Sequence, residues 1–254
     1  SKTKLVCWYA DLQHEHYPEF FRRKKIVERT MRIKFILRNS DDLVVSSHAV
    51  KDDFHRFFNI RKDLKIHIYH FVSVIDDLRH LNIDDLRKKY NLPDVYYMVS
   101  NQFHRHKNHK VLLLAQIRLK NKGVKIHLAL TGRFPDASHS PYMKELHSLI
   151  DGNDLSEQIS FLGLLPRDEQ LMLMKYSRAV LQPSLFEGWS TVIEDAKSLQ
   201  VPVIASNLSV NIEQLGDKGL YFDPHDDNKL SEILFEYPQR NISDIFYEKY
   251  ENRI

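Results

Sequence analysis

From about residue 94 onward, short runs of apolar, β-branched and aromatic residues alternate with stretches whose apolar positions recur every three or four residues. Runs of the first kind read as strands and stretches of the second as amphipathic helices. The predicted strands are Val95 to Val99, Val124 to Leu130, Ile159 to Leu162, Ala179 to Gln182, Pro202 to Ala205 and Leu220 to Phe222. Helices are predicted over 107–121, 140–151, 167–176, 190–199, 208–215 and 226–235. So regular an alternation predicts a parallel sheet with helices on both faces. The first 75 residues predict part of another such sheet, with strands at Lys4 to Tyr9, Leu43 to Ser46 and Lys65 to Tyr69 separated by two helices. Three strands are too few for a doubly wound domain. The expected organisation is therefore a partial Rossmann-like domain over 1–74, truncated at its N-terminus, a complete one over 75–236, and a helical tail over 237–254. Phe71 to Asp77 would link the two domains, and a helix from Asn82 to Tyr90 would lead into the second.

Composition narrows this picture only slightly. The 254 residues are 43% hydrophobic, enough to bury substantial cores. A net charge of +3 on 28% charged residues gives no domain-wide basic excess and argues against nucleic acid. Cys7 is the single cysteine, so no internal disulfide forms, which fits a reducing compartment. No apolar run approaches the ~20 residues that span a bilayer, and no signal core opens the chain. The expected location is the cytoplasm, with the inner face of the membrane as the alternative. Helix 22–38 combines Arg22, Arg23, Lys24 and Lys25 with Ile26, Met31, Ile33, Phe35, Ile36 and Leu37. Such a helix either packs as an ordinary surface element or lies against anionic headgroups.

The chemistry concentrates in Pro183-Ser-Leu-Phe-Glu-Gly-Trp-Ser-Thr-Val-Ile-Glu-Asp-Ala196. A strand ends at Pro183 and a helix begins near Ser190, so 184–189 form a loop at a strand's carboxyl end, the edge where open α/β sheets bind ligands. Ser190 or Thr191 can cap the helix, whose free N–H groups suit a phosphate. Gly188 permits a close backbone approach. Val192, Ala196 and Leu199 share an inward stripe, which leaves Thr191 and Asp195 together on another face. A carboxylate at Asp195 can accept from vicinal ribose hydroxyls, and Glu187 would address sugar hydroxyls. Taken singly, Glu187-Gly188 also reads as an ordinary turn and Asp195 as a solvated helix residue.

A basic loop, Ser100-Asn-Gln-Phe-His-Arg-His-Lys-Asn-His109, follows the second domain's first strand. Its histidines match no zinc spacing and lack accompanying Cys or carboxylate ligands, so no metal is expected. A solvated loop is one reading. The other is a phosphate clamp, in which Arg105 and Lys107 meet an anionic ligand at the sheet's carboxyl edge. In the first domain, Trp8 to Phe21 ends a strand with His14, His16 and several acids that could face a cleft.

Here the sequence resembles the GT-B glycosyltransferases of family 4. Their motif places two acids eight positions apart around a Gly-aromatic pair, followed by a helix and a Pro-Val-Ile strand. Ungapped placement puts the acids on Glu187 and Asp195 and the next strand on Pro202-Val-Ile-Ala-Ser206. Asp195 departs from the family's usual second Glu, and adjacent Glu194 leaves open which carboxylate meets the ribose. Phe161-Leu-Gly-Leu-Leu-Pro166 looks like the loop bordering the nucleotide base, with Gly163 and Leu164 at its centre. Thr131-Gly-Arg-Phe-Pro135 looks like another glycine loop, and Gly219 to Pro224 like the last strand and turn. The resemblance implies catalytic roles for Glu187 and Lys107. It implies donor contacts from Gly163, Leu164, Gly188, Trp189, Ser190, Thr191, Val192 and Asp195. Family members carry an arginine five residues before the lysine; Gln102 stands there, and Arg105 is the candidate substitute. A family His-Asp at the first domain's strand end is replaced by Ala10-Asp11, which makes His14 the candidate on the sugar or acceptor side, ahead of His16.

What the resemblance implies overall is a metal-independent retaining transferase that moves a sugar from a UDP- or GDP-sugar to a glycan or lipid-linked acceptor, without a cofactor. Two rivals remain open: a non-catalytic sugar-nucleotide or protein-binding fragment, and a GT-B sugar-phosphate synthase or epimerase.

Overall fold

The computed structural model describes residues 3–136, 140–239 and Tyr247. It divides into two compact units. The first comprises Ser1–Phe71, Phe186–Ser190 and Leu208–Gln214; the second comprises Val72–Leu185, Thr191–Asn207 and Leu215–Ile254.

The first unit is built on three parallel strands in the order β1 (Val6–Tyr9), β2 (Asp42–Val45), β3 (Lys65–Ile68). Side chains alternate across each strand, so Tyr9, Leu43 and Val45 point to one face and form a core with Leu12, Val50 and Phe54. Helix α2 (Arg23–Asn39) lays Ile33 and Leu37 into that core, and α3 (His48–Phe57) contributes Val50 and Phe54. Ser47 caps α3, its hydroxyl accepting from Val50 N at 3.1 Å. The polar stretch after β1 folds into a one-turn helix, α1 (Gln13–His16), and a 3-10 turn at Pro18–Phe20, neither of which the alternation pattern predicts. A single turn buries too few residues to leave a periodic trace.

The second unit opens with α4 (Ile83–Tyr90), whose N-cap Asn82 accepts from Asp84 N at 2.8 Å. Its strands are β4 (Tyr97–Ser100), β5 (Leu128–Thr131), β6 (Ile159–Gly163), β7 (Val180–Gln182), β8 (Val203–Ser206) and β9 (Leu220–Phe222). They form one parallel sheet in the order β6-β5-β4-β7-β8-β9. The helices between them are α5 (His109–Asn121), α6 (Pro141–Asp151), α7 (Arg167–Lys175) and α8 (Thr191–Ser198), with α10 (Asp227–Glu236) last; α9 (Ser209–Leu215), between β8 and β9 in the chain, belongs to the first unit but for Leu215. Two apolar clusters, one on each face, bury β4 between them: Tyr97 and Val99 belong to one, Tyr96 and Met98 to the other. This is the doubly wound order, in which the chain starts in the middle, works outward to β6, then returns to β7 beside β4. The carboxyl ends of β4 and β7 therefore mark the switch point where such sheets leave a crevice. The architecture is α/β, and element ends differ from those expected from the sequence by no more than four residues, β9 agreeing at both ends.

Two of those differences bear on the site. The helix predicted from residue 107 begins at His109, because Asn108 sits at φ 55° and interrupts it. Lys107 consequently ends a short 3-10 turn, Arg105–Lys107, rather than opening the helix. In α8 the apolar stripe is centred on Ile193 and Ala196, both fully buried, with Val192 and Leu199 only flanking it. At the C-terminus, Tyr237–Gln239 form a 3-10 turn; the remainder of the expected helical tail lies outside the described residues, apart from Tyr247.

Candidate active site

The carboxyl ends of the second unit's strands are tied together by uncharged side chains and by backbone bonds. Asn101, just past β4, donates from Nδ2 to Gln182 Oε1 at 2.9 Å, a buried bond across the switch point. Gly132 N donates to Gly163 O at 2.9 Å, which holds the ends of β5 and β6 together. Gly132 itself has φ 131°, and a Cβ placed there would lie 2.5 Å from Asn101 O. Only glycine fits where the end of β5 meets the backbone that follows β4. Asn108 donates from Nδ2 to Pro183 O (3.1 Å) and Pro224 O (2.8 Å), and Leu185 N donates to His106 O at 2.7 Å. The basic loop is thus pinned to the loop that follows β7.

These bonds frame a cleft of about 270 Å³ lined by Ser100, Gln102, Lys107, Thr131, Gly163, Leu164, Arg167, Thr191, Val192 and Asp195, among others. The first turn of α8 faces it, so backbone N–H groups at a helix's positive end meet the same space as the Lys107 ammonium. Its charged lining residues are Lys107, Arg167 and Asp195, an arrangement with one excess positive charge. The Ser100 hydroxyl is buried at its wall and has no hydrogen-bond partner among the described residues. A cleft with a cation, helix amides, an orphan hydroxyl and one carboxylate suits a ligand that is anionic in one part and hydroxylated in another.

Of the sequence-derived candidates, Gln102, Lys107, Gly163, Leu164, Thr191, Val192 and Asp195 converge on this cleft. Gln102 also accepts from Arg133 N at 3.0 Å, which supports the glycine loop. The two adjacent acids lie in different surroundings. Glu194 is fully buried and pairs with Lys197 Nζ at 2.9 Å, whereas Asp195 lines the cleft.

Arg105 is not brought there: its guanidinium lies 3.5 Å from Glu145 and 5.3 Å from the centre of the Tyr142 ring, on the side of α6. The cation that the sequence reading missed is Arg167. It shows no motif because it stands at the first position of α7, where a solvated residue is the ordinary expectation.

Glu187, Gly188, Trp189 and Ser190 belong to the first unit and are not among the cleft's lining residues. The close approach that Gly188 permits is to protein backbone: a Cβ there would lie 2.5 Å from Ala10 O. Trp189 stacks on His70 with ring centres 4.3 Å apart and donates from Nε1 to Phe71 O at 2.9 Å. Ser190 N donates to Gln214 Oε1 at 2.9 Å.

His14 is 1% exposed in α1, and burial pushes its pKa down to about 4. His16 pairs with Asp53 at 2.8 Å. His109, in the basic loop, is buried against Phe103 with ring centres 4.2 Å apart; burial first, and the Lys107 charge second, push its pKa down to about 3. Among the described residues no group of three or more His, Cys, Asp or Glu is placed to hold a metal ion.

The model of the family described as glycosyl transferases group 1 matches residues 82–238, more than half of the chain. Among curated relatives, O-antigen chain mannosyltransferase B of Escherichia coli is 34% identical over 91 residues, covering 36% of this chain and 24% of its own length. O-antigen chain mannosyltransferase RfbU of Salmonella typhimurium strain LT2 is 23% identical over 220 residues, covering 85% of this chain and 56% of its own. The chain therefore spans between about a quarter and a little over half of these relatives. Among solved structures, sucrose-phosphate synthase of Thermosynechococcus elongatus superposes with a TM-score of 0.74 at 20% identity, over 99% of this chain and 65% of that one. Anabaena HepE in complex with UDP and glucose gives 0.74 at 19% identity, over 95% and 65%. The structural likeness places the α/β architecture in the GT-B fold class, and the match over residues 82–238 shows that this chain belongs to the glycosyl transferases group 1 family.

Proposed function

We propose that the chain carries the donor site of a retaining glycosyltransferase, which moves a sugar from a nucleoside-diphosphate sugar to a glycan or lipid-linked acceptor without a metal. The observation that carries this reading is the convergence of Lys107, the α8 amino terminus and Asp195 on one cleft at the sheet's switch point. The diphosphate would lie against Lys107 and the amides of Thr191 and Val192, where negative charge grows as the sugar leaves. The ribose would face Asp195, and the base would rest along Gly163 and Leu164. Glu187 is assigned to the transferred sugar's hydroxyls on the strength of the family motif.

Similarity to mannosyltransferases and to proteins crystallised with UDP supports a nucleotide-sugar donor. The test is a thermal-shift and product screen against UDP- and GDP-sugars, with the anomeric configuration of any product read by NMR. Stabilisation by one donor class, and an unchanged anomer in the product, are expected. An inverted product would overturn retention, and loss of activity on chelating divalent metals would overturn metal independence.

A membrane surface is the proposed setting of the acceptor. Helix α2 carries seven basic residues and one acid. It also exposes Val27, Met31 and Phe35 in one row, the last two at 65% and 66%. That combination matches an anionic bilayer surface. Co-sedimentation with phosphatidylglycerol vesicles, but not with phosphatidylcholine vesicles, is expected; equal recovery with both would contradict it.

A further inference from the structure

Asp195 does not sit free in the cleft. Its carboxylate, 3% exposed, is held by Arg167 through a two-pronged contact, Nη1 to Oδ2 at 2.6 Å and Nη2 to Oδ1. The Ser73 hydroxyl donates to the same Oδ1. Ser73 is itself fixed to α8, its carbonyl accepting from Ser198 Oγ at 2.6 Å. Arg167 is 54% exposed and lines the cleft beside Gln170.

An ionised carboxylate offers about four acceptor directions. The guanidinium fork and the serine hydroxyl occupy three of them, and the one left lies on Oδ2. A carboxylate so occupied has room for one further donor rather than for the two hydroxyls of a vicinal diol. The planar fork also fixes the carboxylate's rotation about its terminal bond, which lysine at the same place could not do.

We infer that Arg167 is a positioning residue: it locks the Asp195 carboxylate in one orientation, and thereby makes this site read a single ribose hydroxyl of a nucleoside diphosphate. The inference rests on the reading of the cleft as the donor site. Arg167 acts through Asp195, and a contact of its own with the ligand is not needed for the effect.

The experiment is calorimetric titration of the whole chain with UDP and GDP and with their 2′-deoxy and 3′-deoxy counterparts. Wild type, Arg167→Gln and Arg167→Lys are compared. In the wild type, removing one of the two hydroxyls should weaken binding by a factor on the order of ten, the worth of one hydrogen bond to a charged group, while removing the other should change it little. Arg167→Gln should bind the ribonucleotide about as weakly as wild type binds the sensitive deoxy form, and should no longer distinguish the two. Arg167→Lys, which keeps the charge without the fork, should fall between them, and it carries the test alone if the glutamine variant does not fold. Undiminished discrimination in either folded variant would overturn the inference, as would equal losses from both deoxy forms in the wild type. Failure of wild type to bind UDP or GDP at all is a different result: it removes the donor-site reading itself, and the inference with it.

Discussion

Replacing Gly132 by alanine tests whether the strand-end packing shapes the cleft. Two costs coincide at this residue. Its φ of 131° lies where a side chain is strained by about 1–3 kcal/mol. In addition, the new Cβ would stand 2.5 Å from Asn101 O and 3.0 Å from Asn101 C. Ordinary contact begins near 3.4 Å, so about 0.9 Å must be found by moving backbone, and Asn101 is held in place by its bond to Gln182. Together these should cost about 4 kcal/mol, which for a chain of this size lowers Tm by roughly 8–16 °C. Gly123 supplies the control: its φ is 76°, with nothing within 4 Å of the Cβ position. Gly123→Ala should therefore cost about 1 kcal/mol and a few degrees. The assay is thermal denaturation of both variants by circular dichroism, with nucleotide titration of whichever remain folded. Equal losses of stability in the two variants, or a Gly132→Ala variant as stable as wild type, would refute the steric argument.

Three further outcomes follow from the geometry. His109 is held neutral by burial with its pKa near 3, against about 6.5 in an unfolded chain. The unfolded chain therefore binds the extra proton first, and this stability is fully present above pH 6.5 and lost as pH falls towards 3; His109→Phe should flatten the loss between those limits in urea titrations, and an unchanged slope would contradict it. Gly188→Ala forces a Cβ to 2.5 Å from Ala10 O and should lower Tm by several degrees, whereas unaltered stability would show that this contact does not form. Glu187→Ala should abolish sugar transfer in the full-length enzyme while leaving the chain folded, and full turnover in that variant would remove Glu187 from the chemistry.

The sheet was legible because its strands are buried on both faces and read as continuous apolar runs, such as Tyr96 to Val99 and Val203 to Ala205. Strand ends slipped by a few residues because hydrogen-bond pairing, unlike burial, leaves no mark in composition: Val124 to His127 is apolar enough for a strand, yet pairing begins at Leu128. The cleft's loops were legible from Gly163, Lys107 and the α8 start, since each stands where a strand gives way to a helix.

Arg105 and Arg167 take their places for a tertiary reason. Glu145 and Tyr142 on α6 hold the first arginine, and Asp195 on α8 holds the second. Neither pairing is foreseeable from sequence spacing. At Gly188 the sequence marks a place where backbone can come close without saying what approaches, and in the structure it is Ala10. His14 shows the same limit: its polarity suggested a cleft-facing group, while its 1% exposure reflects a turn, α1, too short to predict.

The central claim is that the cleft holds a nucleoside diphosphate by its charge and its helix amides. Isothermal titration of UDP and GDP into wild type, Lys107→Ala and Asp195→Ala tests it most directly. One nucleotide should bind the wild type saturably, with affinity falling by a factor on the order of ten or more in Lys107→Ala and in Asp195→Ala. Binding that is absent from the wild type, or undiminished in both variants, would contradict the account.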